Sequence, residues 1–344
     1  MNYQSPPMNT DTAITAYIAQ EASKDIHNSF ISNKEKYREL CLTNDIPVYS
    51  QYWWLDAVCG ENNWDVNFIE SDGQIVASWP VYKKKRFIFN LITTPKFTPF
   101  TGIWIKYPSN QNYTNKLGYE IELCSALIEM LPKHDYFYQG FNYSFKNWLA
   151  FYWRGFSQTI RYSYVLEDIS DIDQTFAGFS KNKRNNIRKA QKLVEVKQGL
   201  SCEEFYKFHK QSLEKEGFKV SYSYELFERI YDATIKKGRG EIFYAVDEKG
   251  EMHSGLFYVW DNVSAYSLIS VIHPDHSSSN SLSLLFYEAI KTSSKRVTRF
   301  DFEGSMIKGV EAAYRNFGAK QIPYFIITKS NSIFLNLFTF LFKR

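Results

Sequence analysis

At 344 residues the chain exceeds the roughly 250–300 residues at which single hydrophobic cores stop growing, so about two domains are expected. Hydrophobic residues at 44% suffice for packed cores, and aromatics at 18% supply large contact areas. The net charge of +4 is too mild to mark a nucleic-acid binder, so any such case must rest on local clustering.

Residues 1–33 are polar and aperiodic, carry no basic-then-apolar leader, and read as poorly structured. A first domain is expected over residues 34–168, with a helix from about Lys34. From Asn63 the sequence reads as three antiparallel strands, the first two joined by the tight turn Asp72-Gly73. An amphipathic helix over 117–131, the strand YFYQG at 136–140, a short helix with YWRGF at 152–156 and a closing strand at 162–166 complete it.

A second domain is expected over 169–330, mostly helical to residue 238. DIDQTFAGFSKNKRNNIRKAQK reads as one helical stretch, and Ser201 with Glu204 forms a capping box for another. The order then repeats. Three strands start at Gly240 with a turn at Lys249-Gly250, followed by a helix over 282–292 and the strand FDFEG at 300–304. A short helix with YRNFG at 314–318 and a closing strand at 323–328 finish the half. Five matched elements in one order predict a tandem duplication of an α/β unit with mixed sheets, each half closed by its own last strand.

The last stretch, residues 331–344, is apolar but too short to span a bilayer. It fits either a packed terminal element or a segment on a membrane face, with Lys343 and Arg344 at the headgroups. Cys41, Cys59, Cys124 and Cys202 form no CxxC pair and have no histidine at ligand spacing. They read as buried free thiols, so no metal site and a reducing, cytoplasmic setting are expected. His273 and His276 are expected to be solvated.

Chemistry concentrates in three places. Asp301 and Glu303 alternate with Phe300 and Phe302, so both acids face one side of their strand. They fit proton acceptance from an attacking amine, or alternatively a helix cap or a pairing with Arg299 or Arg315. Arg315 fits an anion contact or an ion pair with Glu311. In the basic segment 181–197, Arg184, Arg188 and Lys192 form a stripe suited to a polyanion or simply to water. The aromatics at 52–54 and 97–104 fit core packing or a cleft between domains.

NKRNNIRKAQK, FDFEG with YRNFGA, and QYWWLDAVCG together resemble the motifs of the FemAB-like aminoacyltransferases, and more broadly the BioF2-like branch of the GNAT acyltransferase superfamily. The resemblance covers about residues 45–330. It implies two tandem GNAT-like domains and acyl transfer from acyl-CoA or aminoacyl-tRNA to an amine, often on a cell-envelope precursor; of the two halves the second is favoured as the active one, because YFYQG of the first lacks both acids. It further implies a role for Arg315, where the family usually has lysine, in holding phosphate or polarising an ester carbonyl. Donor contacts are implied at Ile269 and Val271 on the strand, and at Ser278, Ser279, Asn280 and Ser281 where the family has a glycine-rich phosphate loop. The glycine-free loop leaves a second reading open, a non-catalytic GNAT-like module that binds an anionic envelope precursor.

Overall fold

In the computed structural model, which describes residues 32–304 and 306–332, Ser32 opens the chain as a helix cap. Its hydroxyl accepts the Glu35 N–H while Glu35 returns to the Ser32 N–H, starting α1 (Asn33–Thr43). A 3-10 turn at Val48–Ser50 leads into α2 (Tyr52–Cys59), whose Trp53 and Trp54 are buried core residues. Both the 1–33 segment up to residue 31 and the apolar tail from residue 333 lie outside the described residues.

The first half continues as β1 (Trp64–Ser71), β2 (Gln74–Arg86), β3 (Phe89–Thr93) and the two-residue β4 (Trp104–Ile105). Asp72 and Gly73 both take positive φ, 51° and 72°, as a two-residue hairpin turn with the native strand twist requires. Then follow α3 (Tyr113–Glu129), β5 (Tyr136–Gly140), α4 (Leu149–Tyr152) and β6 (Ser157–Leu166). The second half runs α5 (Ile172–Gly178), α6 (Lys181–Ala190), β7 (Glu195–Gln198), α7 (Cys202–Lys215), α8 (Tyr224–Lys236), β8 (Gly240–Val246), β9 (Met252–Trp260) and β10 (Ser264–Ile272). It ends with α9 (Ser281–Ser293), β11 (Arg299–Asp301), α10 (Lys308–Arg315) and β12 (Lys320–Ser330).

All the strands form one sheet, in the order β1-β2-β3-β5-β12-β6-β11-β10-β9-β8-β7, with β4 added to β2. Apart from β4 and β7 the order is a palindrome. Each half contributes three antiparallel strands and one parallel strand, β3 beside β5 and β10 beside β11. The closing strands correct one expectation, because they are exchanged. β12 lies on β5 of the first half, β6 lies on β11 of the second, and the two pair antiparallel at the centre from Lys320↔Val165 to Thr328↔Ser157. The duplication is therefore present, but neither half closes on itself.

A second correction concerns residues 171–192. The chain breaks at Phe179–Ser180 instead of running as one helix. Ser180 caps α6 by accepting the Lys183 N–H, and its own N–H donates to the Asn316 carbonyl. Gly318 sits at φ +72, where an added Cβ would lie 2.7 Å from the Gly178 carbonyl. The YRNFG turn thus packs backbone to backbone against this break.

Three apolar layers hold the sheet. One, with Trp54, Phe100, Phe205, Phe227 and Tyr266, is shared by both halves. A second packs α6 and α9 on the second half around Phe179, Phe286 and Phe317, and a third packs α3 and α4 on the first half around Trp79, Phe137 and Phe151. Cys41, Cys59 and Cys124 are buried, Cys202 is half-buried, and all four are free thiols. Among the described residues no helix is long and apolar enough to cross a membrane, and no group of three or more His, Cys, Asp or Glu could hold a metal ion.

Candidate active site

β10 and β11 pair only at Ser264↔Arg299, Ala265↔Phe300 and Tyr266↔Asp301. Beyond Tyr266, β10 runs on to Ile272 while β11 ends, so the two strands fork at Asp301. A bulge between Ser267 and Ile269 bends β10 at the same level. Past the bulge the peptide groups of Ser270 and Ile272 face the open side, whereas those of Ile269 and Val271 face β9.

The chain turns sharply past the fork because two residues allow it. Glu303 takes a left-handed φ of +57, uncommon for a non-glycine residue, and Gly304 presses on β6, where a Cβ would meet the Tyr162 carbonyl at 1.7 Å. Asp301 is fully buried. Its Oδ1 accepts the Ser163 hydroxyl and the Glu303 N–H, the latter at 2.8 Å, while Oδ2 has no hydrogen-bond partner among the described residues. Burial pushes its pKa up to about 7. Glu303 is half-buried, and its carboxyl turns inward to accept the hydroxyl proton of buried Tyr49. Burial first, and the nearby Asp301 charge after it, hold Glu303 well above the usual carboxylate range.

Residues from both halves surround this pair. The Tyr49 ring lies 5.1 Å from Tyr266 and 5.7 Å from Phe100, and Phe100 lies 5.7 Å from Tyr143 and 5.5 Å from Tyr324. Tyr266 donates to Asp261 Oδ2, which also accepts the Val48 N–H, tying the 3-10 turn of the first half to the second. A cavity of about 140 Å³ beside the cluster is lined by Asn142, Tyr143, Ser264, Tyr266 and Arg299. It shares Asp45, Pro47, Asn142 and Ser144 with a larger cavity of about 350 Å³, on whose wall stands Trp104. The other aromatics singled out in the sequence, Trp53, Trp54 and Phe100, are core.

The first half has no such pair at the matching fork. Gln139 stands in the position of Glu303 and is spent on Trp79 Nε1 and Thr101, while Thr101 bridges to Phe141 and fills the gap. Gly140 keeps the close contact, with a Cβ only 2.4 Å from the Pro99 carbonyl.

Elsewhere the sequence-derived residues scatter. Arg315 is 67% exposed and pairs with Glu311 Oε1 at 2.8 Å, so it stands apart from the carboxyl pair. The serine-rich loop forms a 3-10 turn at Pro274–Ser279, after which Asn280 adopts the left-handed conformation a glycine would otherwise supply. Ser279 and Ser281 are buried and hydrogen-bond each other, which leaves Ser278 and Asn280 facing outward. α6 ends at Ala190, so Lys192 lies beyond it and the stripe is not one helical face. Arg184 caps the end of α5 through the Ala177 and Phe179 carbonyls, and Arg188 lies 5.4 Å from the Phe176 ring. His273 and His276 are not solvated singly: His276 stacks on His253 with ring centres 3.8 Å apart, and His273 lies tilted against His276 at 5.2 Å.

Besides Tyr49, Lys183 escaped the sequence reading. Lys183 leans across from α6 to the first turn of α9, its Nζ 3.1 Å from Ser283 Oγ and 4.3 Å from the centre of the Phe317 ring. It has no carboxylate partner among the described residues, and burial pulls its pKa down to about 8. Its place beside Arg184 in a basic run hid it, because only the break at Ser180 turns Lys183 inward.

Residues 178–314 match the family model described as an acetyltransferase (GNAT) domain. No curated protein matches the sequence. Among solved structures, the crystal structure of FemX superposes with a TM-score of 0.64 at 14% identity, covering 93% of this chain and 100% of that one. L-PGS from Bacillus licheniformis gives 0.51 at 13% identity, covering 93% and 100%, and a conserved protein of unknown function from Bacteroides thetaiotaomicron gives 0.51 at 13%, covering 88% and 99%. At these identities the likeness is one of fold. What is shown is a GNAT-type domain over residues 178–314 and, for the chain as a whole, the fold of FemX. The matched domain lies in the second half and holds the forked strands with Asp301 and Glu303.

Proposed function

We propose that the second half transfers an acyl or aminoacyl group from an activated donor, an acyl-CoA thioester or an aminoacyl-tRNA ester, to an amine. The single observation that carries this reading is the buried carboxyl pair at the fork of β10 and β11, where burial raises both acids above the ordinary carboxylate range, Asp301 to about 7. The amine nitrogen attacks the donor carbonyl carbon. A C–N bond forms, the C–S or C–O bond breaks, the leaving thiolate or alkoxide takes the electron pair, and the amine proton goes to Glu303, which passes it on to the leaving group. Asp301, behind Glu303, sets the local charge and holds the turn through the Glu303 N–H. The N–H groups of Ile269 and Val271 face β9, so it is the N–H of Ser270, turned to the fork past the bulge, that receives the developing oxyanion.

The donor's phosphates lie at the first turn of α9, beside Lys183, Ser278 and Asn280, where a helix N-terminus and a cation without a carboxylate partner both favour negative charge. Arg315 adds positive charge at the rim and moves no proton, since an arginine stays charged. The acceptor occupies the cavities between the halves at Asn142, Tyr143 and Trp104, consistent with an envelope precursor that carries its own amine. Thermal melts of the wild type and Lys183→Ala with acetyl-CoA, longer acyl-CoA esters and charged tRNA test the donor site. One donor class should raise the melting temperature of the wild type and lose that effect in the variant. No shift from any donor would overturn the reading.

A further inference from the structure

The β2–β3 hairpin departs from every rule for a solvent-exposed turn. Its last four residues on β2, Lys83, Lys84, Lys85 and Arg86, are all exposed and project past the core, paired with Phe89–Ile92 of β3. The two turn residues are Phe87 and Ile88, 85% and 79% exposed. A two-residue turn favours asparagine, aspartate or glycine. Here Phe87 is held at φ +54, where a bulky side chain is strained, and it covers no part of the core. Neither folding nor solubility accounts for an aromatic and a β-branched side chain at this place. Lys84, Lys85 and Arg86 carry no ion pair among the described residues, whereas Lys83 reaches Asp65.

Other apolar and basic groups share the same end of the sheet. Asn90 at the base of the hairpin exchanges hydrogen bonds with Asp135, and the Asp135 carbonyl accepts the Asn331 N–H. Asn331 therefore lies two strand spacings, about 10 Å, from the base of the hairpin. Trp153, 59% exposed, adjoins Arg154, whose carbonyl accepts from Lys329 on β12 at this end.

From this juxtaposition we infer that the hairpin is a docking element for an anionic lipid bilayer. Phe87 and Ile88 enter the headgroup layer, and Lys84, Lys85 and Arg86 meet the lipid phosphates. An exposed apolar tip flanked by unpaired cations gives both terms that peripheral binding needs, buried apolar area and attraction to negative lipid. A protein partner or a second copy of the chain fits less well, because three adjacent unpaired cations repel a like surface.

The test is co-sedimentation of the full chain with vesicles of phosphatidylcholine alone and of phosphatidylcholine mixed with phosphatidylglycerol. The wild type should bind the mixed vesicles, bind the neutral ones far less, and release as salt is raised. Phe87→Ser with Ile88→Ser, and separately Lys84→Glu with Lys85→Glu, should each lower the partition coefficient by about tenfold or more while leaving the thermal melt unchanged. Variants that sediment like the wild type, or a wild type that ignores lipid charge or stays in the supernatant, would overturn the inference. So would light scattering that shows a dimer of the wild type converted to a monomer by the hairpin substitutions.

Discussion

Tyr49 donates its buried hydroxyl proton to Glu303, so a 3-10 turn of the first half holds an acid at the strand fork of the second. The two halves meet in this bond as well as in the exchanged strands. Tyr49→Phe keeps the ring contacts with Trp54, Phe100 and Tyr266 and removes only the donor. Glu303 then loses the one interaction that lowers its pKa. The acidic limb of the pH–rate profile should move to higher pH, and unfolding should become easier by about 1–3 kcal/mol for the unsatisfied buried acceptor. A profile superposable on the wild type would sever Glu303 from the chemistry.

Asp301 makes stability depend on pH in an unusual direction. Its folded-state pKa of about 7 lies above the value near 3.9 expected of an unfolded aspartate, so the folded state binds the extra proton. The stabilisation it brings is complete below about pH 4 and is lost as pH rises towards 7, amounting to roughly 3–4 kcal/mol at most. Asp301→Asn should abolish this contribution. Urea unfolding at several pH values from acid to neutral, with the variant's curve flatter than the wild type's, checks it.

His209 works the other way. It is buried, bonded through Nδ1 to the Tyr222 hydroxyl at 2.6 Å, and burial lowers its pKa to about 4. The unfolded chain, with a histidine pKa near 6.5, takes up the proton first. Stability should fall between about pH 6.5 and 4 by roughly 2–3 kcal/mol on this account. His209→Gln should remove that acid limb in the same urea series.

Much of this was legible in the sequence. Period-two runs bounded by Asp72-Gly73 and Lys249-Gly250 marked the hairpins, and the Ser201–Glu204 box marked the start of α7. The repeat itself stood out because both halves place a glycine where β5 and the β11 turn press on a neighbouring backbone. The exchange of β6 and β12 was not legible, since a strand's side-chain pattern is the same whichever half it closes. Nor was the break at Ser180, where an ordinary helical pattern is interrupted by a long-range bond to Asn316. Asp301 and Glu303 were found by alternation. Tyr49 and Lys183, from distant segments, were not, because only the fold brings them to the site.

Two glycines give a contrast in one element. Gly304→Ala would drive a Cβ to 1.7 Å from the Tyr162 carbonyl, so the fork must open or the chain misfold, with a loss of 2 kcal/mol or more, of the order of ~3. Gly309→Ala, early in α10, meets nothing within 4 Å and should stabilise by about 0.5–1 kcal/mol. Thermal melts of the pair separate a required close approach from an incidental glycine.

The central claim is that an acyl group passes to an amine at the fork beside Glu303. Mass-spectrometric detection of the acylated product, using the donor that stabilises the protein and a panel of amine acceptors, tests it most directly. Glu303→Gln should keep the donor-induced rise in melting temperature and lower kcat by about a hundredfold, within the usual range for a lost general base. Product formed by Glu303→Gln at the wild-type rate would contradict it.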